Sequence, residues 1–190
     1  MSAALQQAMT RDAFLRWDER QPVKYEFDGT GPVAMTDVSV NHARIQANII
    51  RALGNRLEGG ACDVFGSDLK IAVAESIRYP DILVTCGLLD GQDRIVNSPV
   101  VVFEILSPSA QGVDCIVKNR EYRDTKSIQR YVILEQDQPA ATVFSRNGDL
   151  WAVEVLTGAE TISLPEIGAT LPLPDCYIGV TFPEPEADPA

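Results

Sequence analysis

The apolar run from Pro99 to Leu106 constrains the fold of this chain more than any other segment. Its sequence, Pro99-Val-Val-Val-Phe-Glu-Ile-Leu106, is typical of a buried β-strand, in which six apolar residues surround a single acid, Glu104. An ionised carboxylate in an apolar interior costs several kcal/mol unless it is paired, hydrogen-bonded or bound to a cation. The strand must therefore bring Glu104 to a partner.

The segments after this strand predict how it packs. A helical pattern runs from about Val113 to Thr125, with Ser107 or Ser109 as its N-cap, and a second apolar strand follows at Tyr131-Val-Ile-Leu134. A strand, a helix and a second strand form a crossover that is right-handed and makes the two strands parallel. The sequence therefore predicts an α/β (α+β) architecture in one domain, residues 1–182, followed by a disordered acidic, proline-rich tail at 183–190.

Hydrophobic periodicity and turn residues predict the other elements. Helices are expected at residues 3–19 and 41–57, the second ended by Gly59-Gly60. Strands are expected at 24–27 and 33–35 (a hairpin), 64–74 with a break near Gly66, 81–85, and 141–144 with 150–155 (a hairpin through Asn147-Gly148).

Composition narrows the class of protein. The net charge of −11 argues against broad, non-specific DNA affinity, although a small basic groove on an acidic body remains compatible with it. The cysteines are far apart, with no paired spacing for zinc, and reduced thiols are expected for Cys62, Cys86, Cys115 and Cys176. No signal peptide or membrane span is apparent, so a cytoplasmic protein is predicted.

A second acid resembles Glu104 in its surroundings. Asp81 follows Pro80 and opens the apolar run Ile82-Leu83-Val84. If the two strands are adjacent, the carboxylates of Asp81 and Glu104 can hold one divalent cation, since Mg²⁺ takes oxygen ligands and keeps several waters. The competing interpretations are a buried Glu104 paired with Arg or Lys, and an Asp81 that merely starts a strand.

Lysines near these acids are candidates for a catalytic cation. Asp114, Lys118 and Tyr122 recur every four residues and form one stripe on the predicted helix, which is either an ordinary surface pair or a stripe that faces Glu104. Lys70 lies on the strand before Asp81 and is the second candidate, with a solvated strand face as the alternative. Glu26 is interpreted as structural, or as leaning over the same cleft.

His42 is the single histidine of the chain, which excludes His-based triads and His-rich metal clusters. At the start of a helix it is interpreted as a surface or packing residue in preference to one that lines the site.

An ordered series of short motifs resembles the Uma-two family of bacterial restriction endonucleases, over about residues 12 to 180. The motifs are Tyr25-Glu-Phe-Asp-Gly29, His42 at the start of a helix, Cys62-Asp-Val-Phe-Gly-Ser-Asp-Leu-Lys70, Arg78-Tyr-Pro-Asp-Ile-Leu-Val-Thr-Cys86, Val101-Val-Phe-Glu-Ile-Leu-Ser-Pro-Ser109, Asp114-x-x-x-Lys118-x-x-x-Tyr122 and Ser127-Ile-x-x-Tyr131-Val-Ile-Leu134.

That family is assigned to the PD-(D/E)xK nuclease superfamily, so the resemblance implies a restriction-endonuclease-like mixed β-sheet core flanked by helices. It also implies that Asp81 is the motif aspartate and Glu104 the second acid. One departure stands out, because Leu106 occupies the position where the superfamily has its lysine. A lysine from elsewhere is then required, with Lys118 the first candidate and Lys70 the alternative.

The resemblance leads to a functional hypothesis: an endodeoxyribonuclease that hydrolyses phosphodiester bonds of DNA. Asp81 and Glu104 would hold the Mg²⁺ or Mn²⁺ ion, and a homodimer is compatible with this activity. The alternative is a catalytically inactive nuclease fold that serves as a binding or assembly module. The absent lysine at Leu106 and the acidic net charge favour that alternative.

Overall fold

The computed structural model describes residues 9–35, 37–106 and 113–182, and these contain four α-helices and thirteen β-strands. The helices are α1 (Arg11–Asp18), α2 (Val40–Leu57), α3 (Val113–Asp124) and α4 (Leu173–Cys176). The strands are β1 (Tyr25–Phe27), β2 (Pro32–Ala34), β3 (Asp63–Gly66), β4 (Lys70–Val73), β5 (Ser76–Arg78), β6 (Ile82–Thr85), β7 (Ile95–Val96), β8 (Pro99–Leu106), β9 (Arg130–Glu135), β10 (Ala140–Asn147), β11 (Leu150–Thr157), β12 (Thr161–Leu164) and β13 (Ala169–Pro172).

The largest sheet has six strands in the order β11-β10-β9-β8-β6-β3. Strand β8 lies inside it, parallel to β9 and antiparallel to β6, so this sheet is mixed. The parallel β8–β9 pair with α3 between its strands confirms the crossover predicted from the sequence. Beyond β9, the predicted hairpin is formed by β10 and β11, and Gly148 adopts a φ of 63° in its turn.

A second sheet has five strands in the order β2-β1-β5-β4-β7. Its β1–β2 hairpin was predicted, whereas the segment 64–74 was expected to be one interrupted strand. In the structure that segment divides into β3, in the six-stranded sheet, and β4, in the five-stranded sheet. The turn between them therefore carries the chain from one sheet to the other.

Apolar residues on the two faces of β8 belong to different parts of the core. Val101, Phe103 and Ile105 pack with the buried positions of α2, while Val102 packs with Tyr122 of α3 and Ile71 of β4. Since side chains alternate along a strand, Glu104 shares the second face with Val102 and Leu106. That face is covered by α3 and by the five-stranded sheet.

Helix α2 forms where the sequence predicts it. Ser39 caps its N-terminus, because the Ser39 hydroxyl accepts a hydrogen bond from the His42 N–H at 3.1 Å. Its apolar residues at four-residue spacing, Ile45, Ile49, Leu53 and Leu57, are all buried. This packing fixes the first turn of α2, and with it His42, at one end of the six-stranded sheet.

Several predictions fall outside the described residues or were wrong. The start of the first helix (residues 3–8), the caps Ser107 and Ser109, and the tail at 183–190 lie outside the described residues. Strands β5, β7, β12 and β13 were not predicted. Strand β7 has two residues and the other three have at most four, which is too short for a clear hydrophobic pattern.

Within the ranges described, no helix is both long and apolar enough to cross a bilayer.

The predicted reduced state of Cys62 and Cys86 was wrong, since these two residues form a disulfide. The pairing follows from the sheet register. Asp63 pairs with Thr85 in the antiparallel β3–β6 ladder, and one further step along each chain brings Cys62 opposite Cys86. Cys176 is a free, buried thiol, and burial raises its pKa to about 12.

Candidate carboxylate site

Neighbouring strands bring the two predicted acids together. Ile82 of β6 pairs with Phe103 of β8, and one further step in this antiparallel register places Asp81 opposite Glu104. Each side chain is 13% exposed. The Asp81 carboxylate lies near enough to contribute to raising the pKa of Glu104. The structure thus supplies the adjacency that the cation hypothesis requires.

Two donors hold the Asp81 carboxylate through one oxygen. Asp81 Oδ2 accepts from the backbone N–H of Ile105 at 2.7 Å and lies 3.1 Å from His42 Nε2. A carboxylate oxygen only accepts, so the His42 ring donates from Nε2. Gln46 adds a bond from its side-chain amide to the Asp81 carbonyl at 2.8 Å. The orientation of Asp81 is therefore fixed by α2 and by β8.

This placement corrects the interpretation of His42 as a surface or packing residue. Its side chain is buried in the first turn of α2 and faces Asp81 directly. Its Nδ1 is buried without a hydrogen-bond partner in the described part of the chain. The helix-start position gave no signal of this contact, because the acid that it meets lies 39 residues further along the sequence (81 − 42).

Glu104 lies in a mostly buried environment that contains both carboxylates and an ammonium group. Its Oε1 accepts from the Tyr122 hydroxyl at 2.5 Å and lies 3.9 Å from Lys118 Nζ. Burial raises the pKa of Glu104 to about 8, and the carboxylates of Asp81 and Glu26 push in the same direction. The Lys118 ammonium and the Tyr122 hydrogen bond oppose that rise without cancelling it.

Lys118 reaches the same cluster from α3. Its Nζ lies 3.1 Å from Glu26 Oε1, closer than to Glu104. Lys118 and Tyr122, four residues apart on α3, therefore both face the end of the strand that carries Glu104. The side chain of Asp114, the third residue of the predicted stripe, lies outside the described residues. Lys118 is thus a cation shared between carboxylates of two different sheets.

Lys70, the alternative lysine, is placed elsewhere. Its Nζ lies 2.6 Å from Asp18 Oδ2 and faces the Tyr79 ring at 5.7 Å from the centroid. Strand β4 belongs to the five-stranded sheet, which directs Lys70 toward α1. The structure brings Lys118 to the acids and leaves Lys70 with Asp18.

A buried arginine supports this cluster and was missed in the sequence. Arg78 is 2% exposed, and it donates to Glu26 Oε2 at 3.1 Å and to both carboxylate oxygens of Glu121 at 2.8 and 3.0 Å. Glu26 also accepts from the Tyr79 N–H, and Glu121 accepts from the Ser76 hydroxyl. The sequence signal that could have singled out Arg78 is a basic residue in a segment that is otherwise buried.

The donor set suits a hard cation with few protein ligands. Among the side chains of residues 9–35, 37–106 and 116–182, no group of three or more His, Cys, Asp or Glu is arranged to hold a metal ion. Two adjacent carboxylates remain, and the pKa of one, Glu104, is raised chiefly by burial and further by the other acids. Mg²⁺ binds proteins through one or two carboxylates plus waters and substrate phosphate, which this pair can accommodate.

Comparisons with known proteins find a matching family model and similar chains. A family model described as "Putative restriction endonuclease", Uma2, matches residues 11–174. An uncharacterised protein of Synechocystis, slr1290, is 29% identical over 178 residues, which cover 92% of this chain and 94% of the relative. A second Synechocystis protein, sll1609, is also 29% identical, over 83% of this chain and 93% of its own length.

A solved structure has the same fold. The crystal structure of a "putative nuclease belonging to DUF820" from Anabaena variabilis superposes with a TM-score of 0.74 at 18% identity. The alignment covers 90% of this chain and 99% of that one. The restriction-endonuclease-like mixed core expected from the sequence is therefore the fold of this chain.

Proposed function

Since this chain belongs to the Uma2 family of restriction endonucleases, we propose that it is a Mg²⁺-dependent endonuclease that hydrolyses phosphodiester bonds of DNA. The observation that carries the proposal is the meeting of Asp81 and Glu104 on adjacent strands, beside the Lys118 ammonium. Two mostly buried carboxylates on adjacent strands are costly unless a cation joins them.

Each residue of the cluster has a distinct task in this proposal. Asp81 and Glu104 would hold the cation, which when bound supplies Lewis-acid polarisation of the phosphoryl oxygen and offsets developing charge. His42 and the Ile105 N–H hold Asp81 in one orientation, and the Tyr122 hydroxyl does the same for Glu104.

Lys118 acts on the phosphate or on the attacking water. Its ammonium lies between Glu26 and Glu104, and its side chain is only 15% exposed, so its charge is weakly screened. A cation held there in advance stabilises negative charge as it develops on the phosphoryl group. Attack in line would leave 5′-phosphate and 3′-hydroxyl ends, as the superfamily resemblance implies.

The test is DNA cleavage by the purified chain. Plasmid and single-stranded DNA are incubated with Mg²⁺, Mn²⁺ or EDTA, and we expect metal-dependent cleavage by the wild type. Asp81→Asn, Glu104→Gln and Lys118→Met should each lower the rate by at least about 100-fold. The matched controls Glu154→Gln and Lys126→Met, which change exposed residues of β11 and of the turn after α3, should cleave as the wild type does.

The second candidate is an inactive nuclease fold that binds or assembles. Leu106 at the usual lysine position and the net charge of −11 favour it. Calorimetric titration with Mn²⁺ separates the candidates, because a catalytic site should bind Mn²⁺ and lose it in Asp81→Asn. No Mn²⁺ binding together with no cleavage of any DNA substrate would contradict the endonuclease.

A further inference from the structure

A cavity of about 430 Å³ lies outside the carboxylate cluster. The segment after α1, the start of β4 and the residue before β7 form its walls, with Lys24, Lys70, Tyr79 and Arg94 among the lining side chains. Its volume falls in the range of sites that hold small molecules or parts of larger ligands. Three acids, Asp18, Glu19 and Asp68, also line the cavity, but Asp18 pairs with Lys70 and Asp68 with Lys24. Arg94 is therefore the residue that makes an anionic group the first ligand to consider.

The inner wall is a buried ion pair. Lys70 is 8% exposed, and its Nζ lies 2.6 Å from Asp18 Oδ2. Burial lowers the pKa of Lys70, but the Asp18 carboxylate and the Tyr79 ring outweigh it, and the pKa ends above its usual value. The amine therefore stays charged, and the wall is both polar and firmly held.

The mouth of the cavity carries two further cations. Lys24 contacts the Asp68 carboxylate and the Ser67 carbonyl, but Asp68 is 91% exposed, so solvent screens that ion pair. Arg94 is exposed, and its side chain forms no ion pair or hydrogen bond with any residue in the described ranges. A guanidinium in that state can grip a phosphate with two parallel hydrogen bonds.

The cavity adjoins the carboxylate cluster along two segments of chain. Lys24 precedes Glu26 by two residues and Tyr79 precedes Asp81 by two, and two residues span at most about 7 Å. Gln46 adds a further link, since its amide donates to both the Asp81 carbonyl and the Ser67 hydroxyl. The cavity and the acids are thus close along the chain, close enough for one nucleic acid strand to contact both.

We propose that this cavity is a phosphate subsite, in which Lys24 and Arg94 bind the nucleic acid strand next to the bond that is cleaved. The proposal rests on the endonuclease function, because it takes the substrate to be a nucleic acid strand. It also offers a chain with a net charge of −11 a local contact to a polyanion, through the Arg94 and Lys24 side chains. A free nucleoside monophosphate carries the same chemistry, and the test distinguishes the two sources.

Fluorescence anisotropy of a labelled oligonucleotide tests the subsite in EDTA, where binding is measured without cleavage. Arg94→Ala and Lys24→Ala should each weaken binding about 5- to 10-fold at low salt. Each should also reduce the slope of log affinity against log salt by about 0.7 to 0.9, the loss of one phosphate contact. The matched control is Arg16→Ala, an exposed arginine of α1 outside the cavity lining, which should change affinity less than about twofold.

A variant of opposite sign sharpens the test. Glu19 also lines the cavity and is exposed, so Glu19→Gln removes a negative charge and should tighten oligonucleotide binding. Weaker binding in Glu19→Gln, or an Arg94→Ala affinity and salt slope equal to those of the wild type, would overturn the proposal.

Nucleoside monophosphate is the competing source. If calorimetry shows that deoxyadenosine monophosphate binds the wild type but not Arg94→Ala, while oligonucleotide binding is the same in both, the strand contact is refuted. The two proposals also fail separately. Altered oligonucleotide binding in a chain that never cleaves DNA would refute the endonuclease and leave Lys24 and Arg94 as nucleic acid contacts of a binding module.

Discussion

At the scale of single residues, His42 shows how one side chain can orient the carboxylate of another, Asp81. Two donors occupy Asp81 Oδ2, so both act on the orientation of the carboxylate that we propose as a metal ligand. We expect His42→Ala to weaken Mn²⁺ binding by about 10-fold or more, as the loss of a partner behind a metal ligand commonly does. Calorimetric titration of the apo protein measures it.

The control for this prediction is Gln46→Ala. Gln46 donates to the Asp81 carbonyl and not to its carboxylate, so this variant should retain most of the Mn²⁺ affinity. His42→Gln, which keeps an N–H donor, should recover part of what His42→Ala loses. Equal Mn²⁺ affinity in His42→Ala and wild type would show that the hydrogen bond has no role in binding.

Glu104 should make the stability of the apo protein depend on pH. Its pKa rises from 4.5 to about 8 in the folded state, so between these values the folded chain holds a proton that the unfolded chain has lost. Stability from this group is then fully present below pH 4.5 and falls as the pH rises toward 8. We expect Glu104→Gln to be more stable than wild type at pH 8 by more than about 1 kcal/mol, and near-equal at pH 5.

The alternative for Glu104, an ion pair in which it is the main partner of Lys118, predicts the reverse. In that case Glu104→Gln would orphan the lysine and destabilise the protein by about 3 kcal/mol at pH 8. In Glu104→Gln the Lys118 ammonium still has the Glu26 carboxylate 3.1 Å away, so we expect no such loss of stability. Urea unfolding of both proteins with EDTA at the two pH values decides between these outcomes.

At the scale of elements, Arg78 links three parts of the fold. It lies on β5 and bonds Glu26 of β1 and Glu121 of α3. Arg78→Met leaves two buried carboxylates short of a cation, and we expect the free energy of unfolding to fall by about 3 kcal/mol or more. Arg120→Met is the control, because its ion pair with Asp124 is solvent-exposed, and it should change stability by less than about 0.5 kcal/mol.

The measurement for Arg78 is the urea midpoint at constant m-value. A loss no larger than that of Arg120→Met would mean that the buried ion-pair network contributes nothing net, as can happen when desolvation cancels attraction.

The elements that the sequence could predict are those with a strong local pattern. The four-residue spacing of Ile45, Ile49 and Leu53 predicted α2, and the apolar run of β8 with the helix after it predicted a parallel pair. The division of 64–74 between two sheets could not be predicted, because Ile71 and Val64 have similar local patterns and differ only in their distant partners.

The same reasoning applies to the candidate site. Glu104 could be singled out because a carboxylate in an apolar strand is costly to bury without a partner. His42, Arg78 and the Cys62–Cys86 disulfide depend on contacts across the fold, and single residues of these types carry no local signal of such contacts. Strand register brings Cys62 to Cys86 and Arg78 to Glu26, and the packing of α2 brings His42 to Asp81; composition encodes neither.

On the scale of the whole molecule, the carboxylate cluster draws its residues from both large sheets. Asp81 and Glu104 come from the six-stranded sheet, Glu26 from the five-stranded sheet, and Lys118 from the helix that covers both. The single domain predicted for residues 1–182 then has a direct consequence. If both sheets unfold together, a cation bound at the cluster must stabilise both of them equally.

We therefore expect calorimetry of the apo protein to give one transition, with equal calorimetric and van't Hoff enthalpies. Mn²⁺ at 100 times its dissociation constant should add about 2.7 kcal/mol and raise that single Tm by roughly 5 to 10 °C. Asp81→Asn, which removes one ligand charge, should show one transition and little shift with Mn²⁺. Two transitions, of which Mn²⁺ moves only one, would show that the sheets unfold separately and that the cluster stabilises only one of them.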